Sequence, residues 1–111
     1  MRQALVYNHG RLAGVLTEKN PTQYRFVYDE AYFKDPVAPP ISLTLPKTRQ
    51  VYQAAYLFPF FSNMLSEGDN RHVQAKIHKL DPEDDFGFLL CTAGVDTPGA
   101  VTVKPMRDDT V

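Results

Sequence analysis

Short apolar runs separated by polar turns organise this chain of 111 residues. Residues 2–7 and 12–17 are two such runs, and the polar loop between them contains Gly10, which predicts a β-hairpin. In residues 23–28, aromatic side chains alternate with other side chains, the period-two pattern of a strand with one buried face. We therefore expect the chain to begin with a meander of three antiparallel strands.

Two more strands are predicted further along. Residues 41–45 alternate Ile, Ser, Leu, Thr and Leu and end at Pro46, which indicates a strand near a sheet edge, because proline cannot donate a ladder hydrogen bond. Residues 100–103 follow a Pro-Gly turn and predict the last strand. The proline-rich segment 29–40 is expected to cross the surface, with one helical turn at residues 29–33.

The densest apolar segment, residues 57–65, predicts a short central helix. Phe58 and Phe61 lie three positions apart and share one helix face, and Pro59 fits only in the first turn, where its missing N–H costs nothing. Gly68 can adopt positive φ beyond the far end. We expect Phe61 to be a core residue and the polar segment after the helix to form an exposed turn.

Two further short helices are predicted in the second half. Residues 70–79 have an amphipathic pattern. Asp81 is the expected N-cap of the next helix, with Pro82 in its first position, Phe86 on its apolar face and its end near Gly94. The chain is thus predicted to be α+β: a small, mostly antiparallel, barrel-like sheet of about five strands with two to three short helices.

Size and composition narrow the function. A chain of 111 residues can bury one hydrophobic core, so we expect a single domain at residues 3–106 and a flexible tail at 107–111. With 12 basic and 13 acidic residues there is almost no net charge to attract nucleic acid or an anionic membrane. No apolar run has the length of a signal peptide or a membrane span, which indicates a cytoplasmic protein.

The sequence indicates no catalytic or metal site. Asp85-Phe86-Gly87 matches the metal-binding tripeptide of protein kinases, but the strand lysine, catalytic-loop aspartate and glycine-rich loop that must accompany it are missing, and the tripeptide fits a helix start. The three histidines lack the i, i+4 spacing of helical metal ligands, and no serine has a paired base. We expect no cofactor and no enzymatic activity.

Four segments resemble, in order, the signatures of the HipA N-terminal domain family. They are PISLTLP at 40–46, PFFSNMLSEG at 59–68, DFGFLL at 85–90 and AGVDTPGAV at 93–101. The similarity extends from about residue 5 to residue 105. Ser66, where the family often has proline, and Val95, where it often has arginine, depart from the pattern. In that family the domain precedes the catalytic part of a Ser/Thr kinase of bacterial toxin–antitoxin modules, and in split systems a free-standing version, HipS, is encoded separately.

The resemblance implies a non-catalytic domain that binds a separately encoded HipA-like Ser/Thr kinase and either completes or restrains it. It also allows a helix-turn-helix HipB-like protein as a further partner. We expect this chain to be the stand-alone version, or else a shortened piece of a fused one. The alternative is an independent small β-barrel-like module that binds nucleic acid, for which the only indication is Arg25 among Tyr24, Phe26 and Tyr28.

The polar turn after the central helix is the expected partner contact, because a polar segment on a rigid helix end is well supported for binding. Its residues are Ser66, Glu67, Gly68, Asp69, Asn70 and Arg71. The alternative interpretation is an ordinary solvated turn. Glu18 and Lys19 are expected on the opposite side of the domain, away from this contact.

Overall fold

The computed structural model describes residues 2–63, 76–77, 79, 81, 84–92 and 100–106. Its elements are, in chain order, β1 (Arg2–Asn8), β2 (Arg11–Asn20), β3 (Gln23–Tyr28), α1 (Glu30–Lys34), β4 (Val51–Ala54), α2 (Pro59–Ser62), α3 (Asp85–Thr92) and β5 (Val101–Pro105). The five strands form one antiparallel sheet in the order β4-β3-β2-β1-β5. The predicted α+β class is confirmed. The barrel-like shape is wrong, because this sheet is open, with β4 and β5 at its two edges.

The three-stranded meander has the predicted place and pairing. Phe26 and Tyr28 of β3 are fully buried, so the aromatic alternation does mark the core face of the strand. The last strand, β5, also lies where the sequence predicts it and pairs with β1. The strand predicted at residues 41–45 is wrong: that segment is a loop, and the fourth strand of the sheet is β4.

Buried contacts at both ends hold residues 41–45 as a loop. The Tyr28 hydroxyl accepts a hydrogen bond from the Ile41 N–H at 3.2 Å and donates one to the Leu45 carbonyl. Ile41 and Leu45 are buried, whereas Leu43 between them is 95% exposed. The alternation of apolar residues here therefore comes from two buried ends of a loop. The same sequence pattern is compatible with a strand, so the sequence alone does not distinguish the two.

Aromatic side chains build the core between the sheet and the helices. The largest fully buried ones are Tyr28, Tyr32, Phe26, Phe61, Phe86 and Phe88. The ring of Phe26 packs edge-on against Tyr28, with centroids 4.9 Å apart, and lies 5.9 Å from the ring of Phe61. Gly14 of β2 makes room for it, since a Cβ there would lie 2.7 Å from the Phe26 ring and 2.4 Å from the Val27 carbonyl oxygen. The predicted core position of Phe61 is confirmed.

The helix α2 begins two residues later than predicted. Pro59 occupies its first turn, as the sequence predicts, and Phe58 precedes it. Leu57 and Phe58 are buried although they are not helical, so the apolar segment serves the core before the helix begins. Residues 64–75, which include the rest of the predicted helix, lie outside the described residues.

The helix α3 starts at Asp85, and its N-cap is Asp84, not the predicted Asp81. The Asp84 carboxylate accepts a hydrogen bond from the Gly87 N–H at 3.1 Å, and its carbonyl accepts the first helical bond, from Phe88. Asp85 is the first-turn acid and Phe86 is fully buried, as the helix-start interpretation predicts. Residues 76–77 are helical, but most of the helix predicted at 70–79 and the tail 107–111 lie outside the described residues. No described helix could span a membrane.

The first prediction tests the core position of α2. Replacing Phe61 by Ala should lower the free energy of unfolding by about 3–5 kcal/mol, because a fully buried phenylalanine is lost and a cavity is left. Phe60 is its neighbour and is only half-buried, so Phe60→Ala should cost roughly half of that or less. Urea denaturation of both variants measures the difference. Equal losses would show that the core has been assigned to the wrong face of α2.

Candidate functional site

The predicted partner contact, Ser66, Glu67, Gly68, Asp69, Asn70 and Arg71, lies outside the described residues. The structure does describe its base, the helix α2 up to Asn63. The buried ring of Phe61 holds this helix, with Phe60 5.2 Å and Phe58 6.4 Å away between ring centroids. A segment that follows such an anchored helix starts from a well-fixed position. The contact itself stays a prediction.

A cleft of about 510 Å³ lies where one end of the three inner strands, the β4–α2 connection and the start of α3 meet. Its described lining residues are Arg2, Glu18, Pro21, Tyr24, Tyr56, Leu57, Asp81, Asp84 and Asp85. Four of these nine side chains are carboxylates and one is an arginine, so the position of the arginine decides how the negative charge is balanced.

Arg2 joins the two sides of this cleft. Its Nε donates to Oε1 of Glu18 at 2.8 Å, and its two terminal nitrogens donate to the two carboxylate oxygens of Asp84 at 3.0 and 2.8 Å. The guanidinium also lies 5.1 Å from the ring centroid of Phe86. Its hydrogen bonds to Asp84, together with those to Glu18, raise the pKa of Arg2 above its usual range. Because a guanidinium and a carboxylate pair in a fixed planar geometry, this contact fixes the start of α3 against the start of β1.

Tyr24 and Glu18 extend the network across the sheet. The Tyr24 hydroxyl donates to the second carboxylate oxygen of Glu18 at 2.9 Å. Burial, assisted by this hydrogen bond to an anion, raises the pKa of Tyr24 to about 12. Glu18 is only 8% exposed. Glu18 is therefore a buried member of a hydrogen-bond network and is unsuitable as an inert control position. Its predicted place opposite residues 66–71 stays a prediction, because those residues lie outside the described ranges. We call Arg2, Glu18, Tyr24 and Asp84 the Arg2 network.

A β-bulge brings Glu18 into this network. Ala13 of β2 has no partner on β1, and from there on the register is shifted by one residue. Without this extra residue Arg2 would lie opposite Thr17, and Glu18 would point to the other face of the sheet. Sequence reasoning missed the Arg2 network for this reason. The signal that could have indicated it is the pair of small residues Ala13-Gly14 inside a strand pattern.

The Arg2 network suits a structural clamp better than a reaction site. None of the nine described lining residues is a serine, a cysteine or a histidine, so they provide no nucleophile with a paired base. In the ranges that the structure covers, no three metal-ligating side chains come together. Arg2 already donates hydrogen bonds to two carboxylates. These bonds connect β1 to β2 through Glu18 and to the start of α3 through Asp84.

The aromatic residues around Arg25 do not form an exposed stacking surface. Phe26 and Tyr28 are buried in the core, and Arg25 lies on the opposite face of the sheet, across from Thr17. Stacking on nucleic-acid bases needs aromatic faces that are open to solvent beside the cation. The aromatic residues around Arg25, the one sequence indication of a nucleic-acid-binding module, are therefore explained by the alternation of a strand with one buried face.

Comparison with known families gives the identity of the fold. The model of the HipA N-terminal domain family matches residues 4–104. This chain belongs to that family. Its structure is similar to that of the N-terminal domain of HipA toxin, with a TM-score of 0.72 and 27% sequence identity over 98% of this chain and 96% of that one. The resemblance seen in the four sequence segments is thus confirmed.

Three relatives place the domain in proteins of different length. Two Sinorhizobium fredii proteins that carry the name "Putative kinase" are 33% and 35% identical to this chain over 100 and 107 residues. The match covers about nine tenths of this chain but only 24% and 26% of those proteins, so the chain spans about a quarter of their length. A Haemophilus influenzae protein is 30% identical over 104 residues, which is 94% of this chain and 92% of that protein.

The second prediction tests the Arg2 network. Asp84→Ala removes the N-cap of α3, worth about 1 kcal/mol, and the bidentate pair with the partly exposed Arg2, worth about 1 kcal/mol at most. We expect a loss of roughly 2 kcal/mol in the free energy of unfolding. Glu30→Ala, which breaks the exposed pair with Lys34, is the matched control and should leave the melting temperature almost unchanged. A thermal melt in which both variants behave alike would contradict the assignment.

Proposed function

We propose that this chain is a non-catalytic, protein-binding domain of a bacterial HipA-like toxin–antitoxin module, which docks on a Ser/Thr kinase and regulates it. The observation that carries the proposal is the match to the HipA N-terminal domain along nearly the whole chain. Two relatives whose names include the word kinase contain this domain as only about a quarter of their length. The remaining three quarters of such a protein are where a kinase part belongs.

We further propose that the kinase partner is a separate chain. The Haemophilus influenzae relative supports this, because the present chain accounts for 92% of it, which means that a domain of this size also occurs without the additional length. A separate domain loses translational and rotational freedom when it docks, and the interface has to offset that loss. Such a domain therefore needs a well-supported contact surface. A pull-down with a HipA-like kinase encoded beside this chain, followed by a phosphorylation assay, tests both parts of the proposal.

The third prediction concerns catalysis. Phosphoryl transfer needs a positioned lysine, metal-binding acids and a catalytic aspartate. In α3 the kinase-like tripeptide begins a helix, with Phe86 in the core. We therefore expect calorimetric titration of the purified chain with magnesium and ATP to give no saturable heat. A full-length kinase relative, titrated in the same buffer, is the positive control. Saturable, magnesium-dependent ATP binding by this chain alone would contradict the non-catalytic assignment.

The fourth prediction locates the contact at residues 66–71. Reversing the charge of Glu67 and Asp69 together, to Lys, should weaken kinase binding at least tenfold, equivalent to about 1.4 kcal/mol. The physical reason is that both carboxylates follow the anchored helix α2 and would meet complementary charge on the partner. Biolayer interferometry with the kinase measures the affinity, and a thermal melt checks that the fold is intact.

The control for this experiment is a matched double reversal at Glu30 and Asp35, two carboxylates at the ends of α1 whose ion-pair partners, Lys34 and Arg11, are also on the surface. It changes the net charge by the same amount and should leave the affinity within about twofold. Glu18 is unsuitable as a control because it is buried in the Arg2 network. If both doubles weaken binding equally, or neither does, the segment is a solvated turn and the contact lies elsewhere.

A further inference from the structure

A second cavity, of about 350 Å³, lies at the end of the sheet between the β2–β3 turn and β4. The described residues that line it are Lys19, Thr22, Gln23, Tyr24, Arg25, Gln53, Ala54 and Ala55. Two of these eight are basic and none is acidic, in contrast to the cleft at the Arg2 network. Tyr24 is the one described lining residue that both cavities share.

A second β-bulge supplies one of the two cations. Glu18 lies opposite Tyr24 and Asn20 lies opposite Gln23, so Lys19 between them has no partner on β3. A bulge of this kind changes the direction of the extra side chain. Lys19 is exposed, and the neighbouring carboxylate of Glu18 is engaged in the Arg2 network on the core face. The positive charge of Lys19 is therefore not balanced by the residue beside it.

Arg25 supplies the other cation. It lies between Thr17 of β2 and Gln53 of β4 on the face of the sheet that points away from the core. Its Nε is buried and has no hydrogen-bond partner among the described residues, which is uncommon for a buried donor. Neither Arg25 nor Lys19 forms an ion pair with any residue in the described ranges. Within the part of the chain that the structure describes, these two neighbouring cations therefore have no paired carboxylate.

In the β2–β3 turn beside the cavity, the side-chain oxygens of Asn20 and Gln23 accept hydrogen bonds from within the turn. Oδ1 of Asn20 accepts from the backbone N–H of Thr22 at 3.0 Å and from its hydroxyl at 2.9 Å. The side-chain amide of Asn20 in turn donates to Oε1 of Gln23 at 3.1 Å. The Gln23 side chain therefore keeps its NH₂ group as the part available to a ligand. Together with Lys19 and Arg25, the lining offers donors and positive charge.

We propose that this cavity binds one oxyanion, the phosphate or carboxylate group of a ligand, between Lys19 and Arg25. Phosphate and carboxylate share the chemistry that this lining recognises, negatively charged oxygens that accept several charge-assisted hydrogen bonds. Arg25 offers a planar fork and Lys19 a mobile point charge, a combination that suits an oxyanion with two or three oxygens. The inference goes beyond kinase docking and does not depend on it.

The test is an NMR titration of the ¹⁵N-labelled full chain at low ionic strength, with inorganic phosphate in one arm and acetate in the other. We expect saturable shifts confined to the amides of residues 19–25 and 53–55. Tighter binding of phosphate would assign a phosphate-bearing ligand, and tighter binding of acetate a carboxylate-bearing one. Arg25→Gln and Lys19→Gln should each weaken binding at least fivefold, and Arg25→Lys, which keeps the charge but loses the fork, should weaken it less than Arg25→Gln.

Two controls separate a site from general attraction to positive charge. Arg49→Gln and Lys34→Gln remove the same charge from exposed positions outside the cavity and should leave the affinity within twofold. Lys19 is an exposed bulge residue, so its variant keeps the test valid should the Arg25 variants fail to fold. Absence of saturable shifts with both anions, or equal weakening by the control variants, would overturn the proposal.

Discussion

One extra residue in β2 determines which side chains of that strand face the core and which face outward. Ala13 has no partner on β1, and because side chains alternate along a strand, the shift moves the residues from Gly14 to Glu18 to the opposite face. Leu16 consequently enters the core and Glu18 meets Arg2. Gly14 beside the bulge completes the arrangement, since its missing side chain leaves the space that the Phe26 ring fills.

The Arg2 network and the aromatic core contribute differently to the stability of α3. This helix has only eight residues, too few to be stable in isolation, so tertiary contacts must hold it. Burial of Phe86 and Phe88 contributes about 1.5–3 kcal/mol each, whereas the ion pair with the partly exposed Arg2 contributes about 1 kcal/mol or less. The aromatic side chains therefore provide most of the stability, and the bidentate pair joins the start of α3 to β1.

Family membership and site geometry lead to complementary views of function. The match to the HipA N-terminal domain supports the proposed kinase partner. The described surfaces contain the Arg2 network, in which one arginine pairs with two carboxylates, and a separate cavity lined by Lys19 and Arg25. A binding domain needs a rigid interior that presents polar groups at fixed positions, and the buried rings around Phe26 and Phe61 provide it. No reactive group has to be invoked for any of these roles.

Local patterns are sufficient to predict the three-stranded meander, a helical turn near residues 29–33, the core position of Phe61 and the family, because each depends on neighbours in sequence. They were insufficient where distant residues decide. Residues 41–45 alternate like a strand, but hydrogen bonds to the hydroxyl of Tyr28 hold them as a loop. The fourth strand is β4, which pairs with β3. The Arg2 network, too, follows from a one-residue shift in pairing. Register is a property of two strands together, so the face that Glu18 occupies was determined only when β1 and β2 paired in the folded chain.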